Sequence, residues 1–187
     1  AKSAAIDTLI APSMFGIPIE VDKTCNYKLI EDLAQSFGAT DGDNPIGLRG
    51  NLGICSFYAS KLITSGGQGG AIISKDKSLI DLIRDYREFD NRRDEKTRFN
   101  FQMTDIQAAI GREQLKQFSE FSMKRDVIFD VYKNAGLDLI DIDCSNCQPV
   151  RYRAVLKTNK PLLLINKLKE IGVNSIVPIE AEELLDN

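Results

Sequence analysis

Cys55-Ser-Phe-Tyr-Ala-Ser-Lys61, followed shortly by Gly66-Gly-Gln-Gly-Gly70, is the stretch on which the reading of this chain turns. An apolar run, Ile54 to Phe57, holds a serine near its end and delivers a lysine into a loop that closes on glycines. Apolar residues bounded by small and polar ones read as a strand running into a turn. Upstream lies Ile30-Glu-Asp-Leu-Ala-Gln35, where a second run, Tyr27 to Glu31, gives way to an aspartate. Strands that release a carboxylate and a lysine at their carboxyl ends suit an open α/β sheet, whose ligands gather at that edge.

Working outward, Ile6 to Ala11 and Gly70 to Ser74 read as two more strands, and the alternation with amphipathic segments predicts an α/β fold with a largely parallel sheet. Lys77 to Phe89 carries Leu79, Leu82, Ile83 and Tyr86 at helical spacing. A long helix is predicted from Thr104, with Gln107 completing its cap, to about Asn134, with Gly136 as the stop. Beyond it, Asp141 to Pro149 reads as a polar connector. Arg151 to Lys157 is strand-like, Pro161 to Ile171 is a helix with proline in its first turn, and Val173 to Pro178 is another strand. The expected organisation is a larger lobe over residues 1–115, then a bridging helix and a small α+β lobe over 116–187.

With 187 residues, 43% of them hydrophobic, the chain can bury a sizeable core. Its 24 basic and 27 acidic side chains leave a net charge of −3, which argues against nucleic acid or an anionic membrane as partner. No apolar run approaches the roughly 18 residues of a membrane span, and no signal-peptide core is visible, so a cytoplasmic location is expected. Four cysteines are too few for a disulfide scaffold, and with no histidine a metal site is not expected; reduced thiols are. The lack of histidine also removes Ser-His and Cys-His nucleophile systems. Proton transfer must then use lysine, carboxylate, tyrosine or water.

A lysine and a carboxylate on separate strand ends match what pyridoxal phosphate chemistry needs. The lysine, Lys61, forms an imine with the aldehyde, and the carboxylate, Asp32, keeps the pyridine nitrogen protonated. Burial among Phe57, Tyr58 and Leu62 would favour the uncharged amine. Each residue also has a plainer reading: Lys61 as a surface lysine, Asp32 as a cap for the following turn, Ser56 and Gln35 as polar strand-end residues, Asn100 as a loop residue. The charged stretch Arg84 to Arg98 allows two readings. Its arginines suit a diphosphate, while its interspersed acids suit a solvated loop, which is the expectation here.

These motifs, in order, are Phe15-Gly16, Ile30-Glu-Asp-Leu-Ala-Gln-Ser-Phe-Gly-Ala39, Ser56-Phe-Tyr-Ala-Ser-Lys61, Gly66 to Gly70, and Asn100-Phe-Gln-Met-Thr-Asp-Ile-Gln-Ala-Ala-Ile110. Together they resemble the DegT/StrS-type pyridoxal phosphate-dependent nucleotide-sugar aminotransferases, of fold-type I architecture. The resemblance implies that Lys61 bears the cofactor as an imine, Asp32 pairs with the pyridinium, Gln35 lies against the ring and Ser56 binds the phosphate. It also implies that Asn100 reaches the cofactor of a neighbouring subunit, hence a homodimer with shared active sites. The implied activity moves an amino group from an amino acid, glutamate being usual, to a keto-sugar on a nucleotide, for polysaccharide or glycoside synthesis. Departures exist: Gln68 stands where an acid is usual, Gln102 where arginine is common, and Ser13 where histidine is frequent. Such proteins are also about twice as long, and this sequence begins where their middle begins. The alternatives are a non-catalytic protein of the same fold, serving as an interaction or regulatory module, and the related sugar dehydratase chemistry, which the retained Lys61 disfavours; a partner chain supplying the amino-terminal part, tighter self-association or a rearranged sheet would cover the faces left open.

Overall fold

The computed structural model describes residues 7–22, 26–142 and 146–179. In chain order the elements are β1 (Thr8–Pro12), a 3-10 turn (Met14–Gly16), β2 (Lys28–Asp32), β3 (Thr40–Asp41), β4 (Asn44–Pro45), β5 (Leu52–Ser56) and β6 (Gly70–Ile73). Then follow α1 (Lys77–Arg87), α2 (Asp105–Lys116), α3 (Phe118–Asn134), β7 (Cys147–Gln148) and α4 (Pro161–Glu170).

The main sheet runs β1-β2-β5-β6; the first three strands are parallel and β6 is antiparallel to β5. Its four strands match the expected runs to within two residues at each end, apart from Ile6, which lies outside the described residues. Register aligns Pro12, Asp32, Ile54 and Ile72 across the sheet. Because side chains alternate along a strand, the two faces differ sharply. One buries Ala11, Leu29, Glu31 and Cys55; the other leaves Ile10 61%, Ile54 39% and Ile72 43% exposed.

A core of Leu33, Ala39, Ile46, Cys55, Leu62, Val150 and Tyr152 packs under the first face, so residues far apart in the chain share one hydrophobic cluster. Two contacts tie the carboxyl-terminal segment in. β7 pairs antiparallel with β3, and the Val150 N–H donates to the Gly16 carbonyl at 3.0 Å. Gly16 sits at φ +91°, and a Cβ there would fall 1.7 Å from the Val150 oxygen, so only glycine allows that approach.

The predicted helix from Thr104 to Asn134 is instead two helices, α2 and α3, separated at Gln117. Its start is as expected, with a complete capping box between Thr104 and Gln107. At the break the Gln117 N–H bonds back to Gln114, which tightens the chain and swings Phe118 inward. The Phe118 ring then meets Phe37 edge-on at 5.4 Å and lies over Gly38, whose φ is +90°. Burying that ring outweighs continuous helical bonding.

Arg151 to Lys157 does not form the expected strand. The Tyr152 N–H turns back to the Val150 carbonyl at 2.9 Å, and Arg125 Nη1 takes the carbonyls of Arg151 and Tyr152 at 3.2 Å each. A ladder would need those carbonyls; only a single bridge, Leu139 to Leu156, remains. Val173 to Pro178 is irregular as well: the Val173 N–H caps α4 at Leu168, and the segment pairs with no strand among the described residues. α4 itself has Pro161 in its first turn and Gly172 at φ +80° beyond its end, as expected. Cys147 is disulfide-bonded rather than a reduced thiol, while Cys55 is free and buried.

Candidate active site

Parallel pairing of β2 with β5 brings their carboxyl ends to one edge of the sheet, and the residues singled out from sequence follow from that edge. Asp32 is the last residue of β2 and half-buried. Its Oδ1 accepts the Ala34 N–H at 2.8 Å, so the turn-capping bond is present, and no basic side chain among the described residues pairs with it. Ser56 ends β5, two residues beyond Ile54 and therefore on the same face as Asp32. Its Oγ receives only a long bond, 3.4 Å, from the Tyr58 N–H.

The loop after β5 folds back on itself. Phe57 N–H donates to Gly69, Ala59 N–H to Gly67 and Ser65 N–H to Phe57, with Gly66 and Gly67 at positive φ. Lys61 sits half-buried within this loop, its N–H donating to the Tyr58 carbonyl. Among the described residues its Nζ has neither a hydrogen-bond nor an ion-pair partner; what it meets is the Tyr152 ring, 5.4 Å from the centroid.

On the β1 side, Ser13 is buried, its N–H donates to the Asp32 carbonyl at 3.0 Å, and its Oγ accepts from Ile19. Gln35 Oε1 accepts the Phe15 N–H at 2.8 Å, holding that residue at φ 59°. Thus Gln35 is tied to the loop beside Asp32. Asn100 does not join the group: it lies exposed between α1 and α2, with no hydrogen bond to the other four residues.

Electrostatics tie Asp32 to Cys55 and Lys61 to Tyr152. Burial first, then the Asp32 carboxylate, pushes the Cys55 thiol up to about 11. At Tyr152, burial acts to raise the phenol, but Arg153, the Lys61 charge and Ser60 beside it bring it below the ordinary tyrosine value. Among the described residues the buried hydroxyls Ser36 Oγ, Ser65 Oγ and Ser175 Oγ have no hydrogen-bond partner.

Three features escaped the sequence reading. Glu31, fully buried, accepts from Arg49 N, Arg49 Nε and Gly50 N at 2.7 to 3.2 Å, and Arg49 reaches on to Asp41 at 3.0 Å. This network clamps the chain before β5 to β2. Tyr152 beside Lys61 was the second, and the cavity next to it, lined by Arg125, Phe129, Arg151 and Arg153, the third. The alternating Arg151-Tyr-Arg153 was the available signal, read there as a strand. In the charged stretch, Arg98 is buried between Asp85 and Asp94, and Arg92 pairs with Glu88 and Asp85. Those arginines are occupied by acids, as the loop reading expected.

Comparison with known proteins decides the family. A model described as the DegT/DnrJ/EryC1/StrS aminotransferase family matches residues 19–162, well over half the chain. The chain belongs to the DegT/DnrJ/EryC1/StrS aminotransferase family. A relative named GDP-perosamine synthase, from Escherichia coli O157:H7, is 31% identical over 132 residues, which is 66% of this chain and 35% of that protein. Among solved structures, a DegT DnrJ EryC1 StrS aminotransferase from Brucella abortus superposes with a TM-score of 0.86 at 22% identity, covering 96% of this chain and 52% of that one. S. venezuelae DesV, solved in complex with a ketimine intermediate, gives 0.82 at 24% identity, with 90% and 49% covered. The family member described here therefore spans about a third to a half of the length of the proteins it matches. Among the described residues no helix is long and apolar enough to cross a membrane.

Proposed function

We propose that this chain carries the lysine and carboxylate of a pyridoxal phosphate-dependent sugar aminotransferase, which moves an amino group from an amino acid, glutamate as the expected donor, to a nucleotide-linked keto-sugar. The observation that carries the reading is the edge shared by β2 and β5, where Asp32 and Ser56 sit on one face and Lys61 follows in the next loop. The residues fit the cofactor. Among the described residues Lys61 Nζ has no hydrogen-bond or ion-pair partner, Asp32 keeps one oxygen without a hydrogen bond and has no basic partner, and Ser56 keeps its hydroxyl proton to donate. When bound, pyridoxal phosphate supplies an aldehyde and an electron-withdrawing ring.

Around it, Asp32 holds a proton on the ring nitrogen, because a half-buried carboxylate favours a cationic partner. Ser56 would donate to the phosphate, Gln35 would lie along the ring, and the Lys61 amine would carry the proton between substrate carbon and cofactor. Asn100 serves a second copy of the chain. Its outward position supports that role, as does the adjoining aromatic group, in which Phe99 stacks on Phe101 at 5.2 Å and Phe101 is 66% exposed. The likeness to a synthase that acts on a GDP-linked sugar supports a nucleotide-sugar substrate and a place in surface-polysaccharide or glycoside synthesis.

Borohydride reduction after incubation with pyridoxal phosphate tests the reading: a reduced adduct mapped by mass spectrometry to Lys61 is expected, and none there refutes it. A non-catalytic interaction module is the second reading, favoured by the exposed Ile10, Ile54 and Ile72 face. It requires that a Lys61→Ala chain keep the full biological role.

A further inference from the structure

Two cations lie against the Tyr152 ring. Lys61 Nζ and Arg153 Cζ each lie 5.4 Å from its ring centroid, so the two are at most twice that distance apart. On the Arg153 side opens a cavity of about 140 Å³, between the middle of α3 and the segment Arg151 to Ala154. A second, of about 450 Å³, adjoins it through Arg125 and Ile128 and reaches Leu62, the residue after Lys61.

The charge around these cavities is lopsided. Among the described residues no acidic side chain lines either one. Arg151 is neutralised by Asp141 at 2.6 Å and Asp126 at 3.6 Å, and Lys124 by Glu120 at 2.6 Å. Arg125 and Arg153 have no carboxylate partner among the described residues. Arg125 is held in place through Nη1 by two backbone carbonyls, which leaves its other donors uncommitted. Arg153 is exposed beside the Tyr152 ring, its guanidinium fork available to solvent. In a chain of net charge −3, two guanidiniums without a carboxylate partner on one cavity, one of them anchored, form a receptor for an anion with several oxygens, which a guanidinium binds through paired donors.

We propose that this cavity binds the phosphate groups of the substrate, with Arg153 and Arg125 as its anion-binding residues. Lys61 and Arg153 lie against one Tyr152 ring and the larger cavity reaches Leu62, so a sugar reacting at Lys61 would have its phosphates beside these arginines. The proposal rests on the function proposed above and adds the residues that select a phosphate-bearing substrate. It also moves that recognition away from the Arg84 to Arg98 stretch, whose Arg92 and Arg98 are occupied by acids.

Isothermal titration with inorganic pyrophosphate, on the purified chain without pyridoxal phosphate, is the test. Arg153→Gln should weaken binding about tenfold or more, the loss of a charge-assisted contact, while Arg93→Gln leaves it unchanged. A thermal melt confirms folding, and Arg153→Lys, which keeps charge without the fork, should fall between. Binding unaffected by Arg153→Gln, or lowered by Arg93→Gln instead, overturns the proposal. A parallel Lys61 borohydride assay separates the sources of phosphate: if Arg153→Gln lowers cofactor loading as much as pyrophosphate binding, the cavity belongs to the cofactor and the substrate assignment falls. If Lys61 never forms an adduct but Arg153→Gln still abolishes pyrophosphate binding, the anion site stands and the aminotransferase reading fails.

Discussion

Glu31→Gln is the perturbation whose magnitude can be worked out most directly. The carboxylate is completely buried, the Arg49 side chain is 6% exposed, and the Glu31 oxygens accept three N–H groups, one of them the charged Nε at 2.7 Å. Removing one partner of a buried pair costs about 3–5 kcal/mol, because the remaining charge stays desolvated. Asp41, at 3.0 Å from Nη1 and 39% exposed, still compensates Arg49 in part, which sets the expectation at the lower end, about 3 kcal/mol. For a chain of this size that corresponds to a fall in melting temperature of about 6–12 °C. Denaturant titration with calorimetry reads it. Arg49→Met added to Glu31→Gln should cost less than the two changes separately, with a coupling of about 2 kcal/mol. A loss below about 1 kcal/mol, the size of an exposed ion pair, would refute the argument that this network is buried and clamps the start of β5 to β2.

Other expectations follow from the same contacts. Gly16→Ala should destabilise by about 2 kcal/mol or more, since the added methyl meets the Val150 carbonyl in a positive-φ position; a melting temperature within error of the parent would mean that the segment does not dock as described. Cys55, pushed up to about 11 by burial and by Asp32, should react very slowly with iodoacetamide at pH 8. Asp32→Asn removes the second cause and should speed that alkylation, and an unchanged rate would contradict the closeness of the two groups. Asp141 is opposed by burial, but Lys133 and Arg151 hold it down to about 2. A depressed carboxylate stabilises the fold above its unfolded value, roughly 4, and that contribution is lost as pH falls through about 2. Stability of the parent should therefore drop over that window, and Asp141→Asn should flatten the profile.

Legibility differed by element. The strand ends at Asp32 and Ser56 were readable because apolar runs stopping on polar residues and glycine are local signals, and the capping box at Thr104 was readable for the same reason. The break at Gln117 was not, since apolar spacing continues through it and the cause is the Phe37 ring, 80 positions earlier. Arg151 to Lys157 has strand-like alternation, yet its carbonyls are taken by a guanidinium from α3.

Residue order alone determined the class of this protein: the four strands of the main sheet, where that sheet's edge lies, and that a lysine, a serine and an aspartate issue from it. Such features depend on backbone preference and short-range burial, which a neighbourhood of a few residues specifies. Tertiary packing alone decided that Lys61 and Arg153 both lie against Tyr152, that Glu31 needs Arg49, and that Arg125 and Arg153 have no carboxylate partner among the described residues. Those facts depend on which distant side chains are desolvated together, and desolvation is a property of the assembled core.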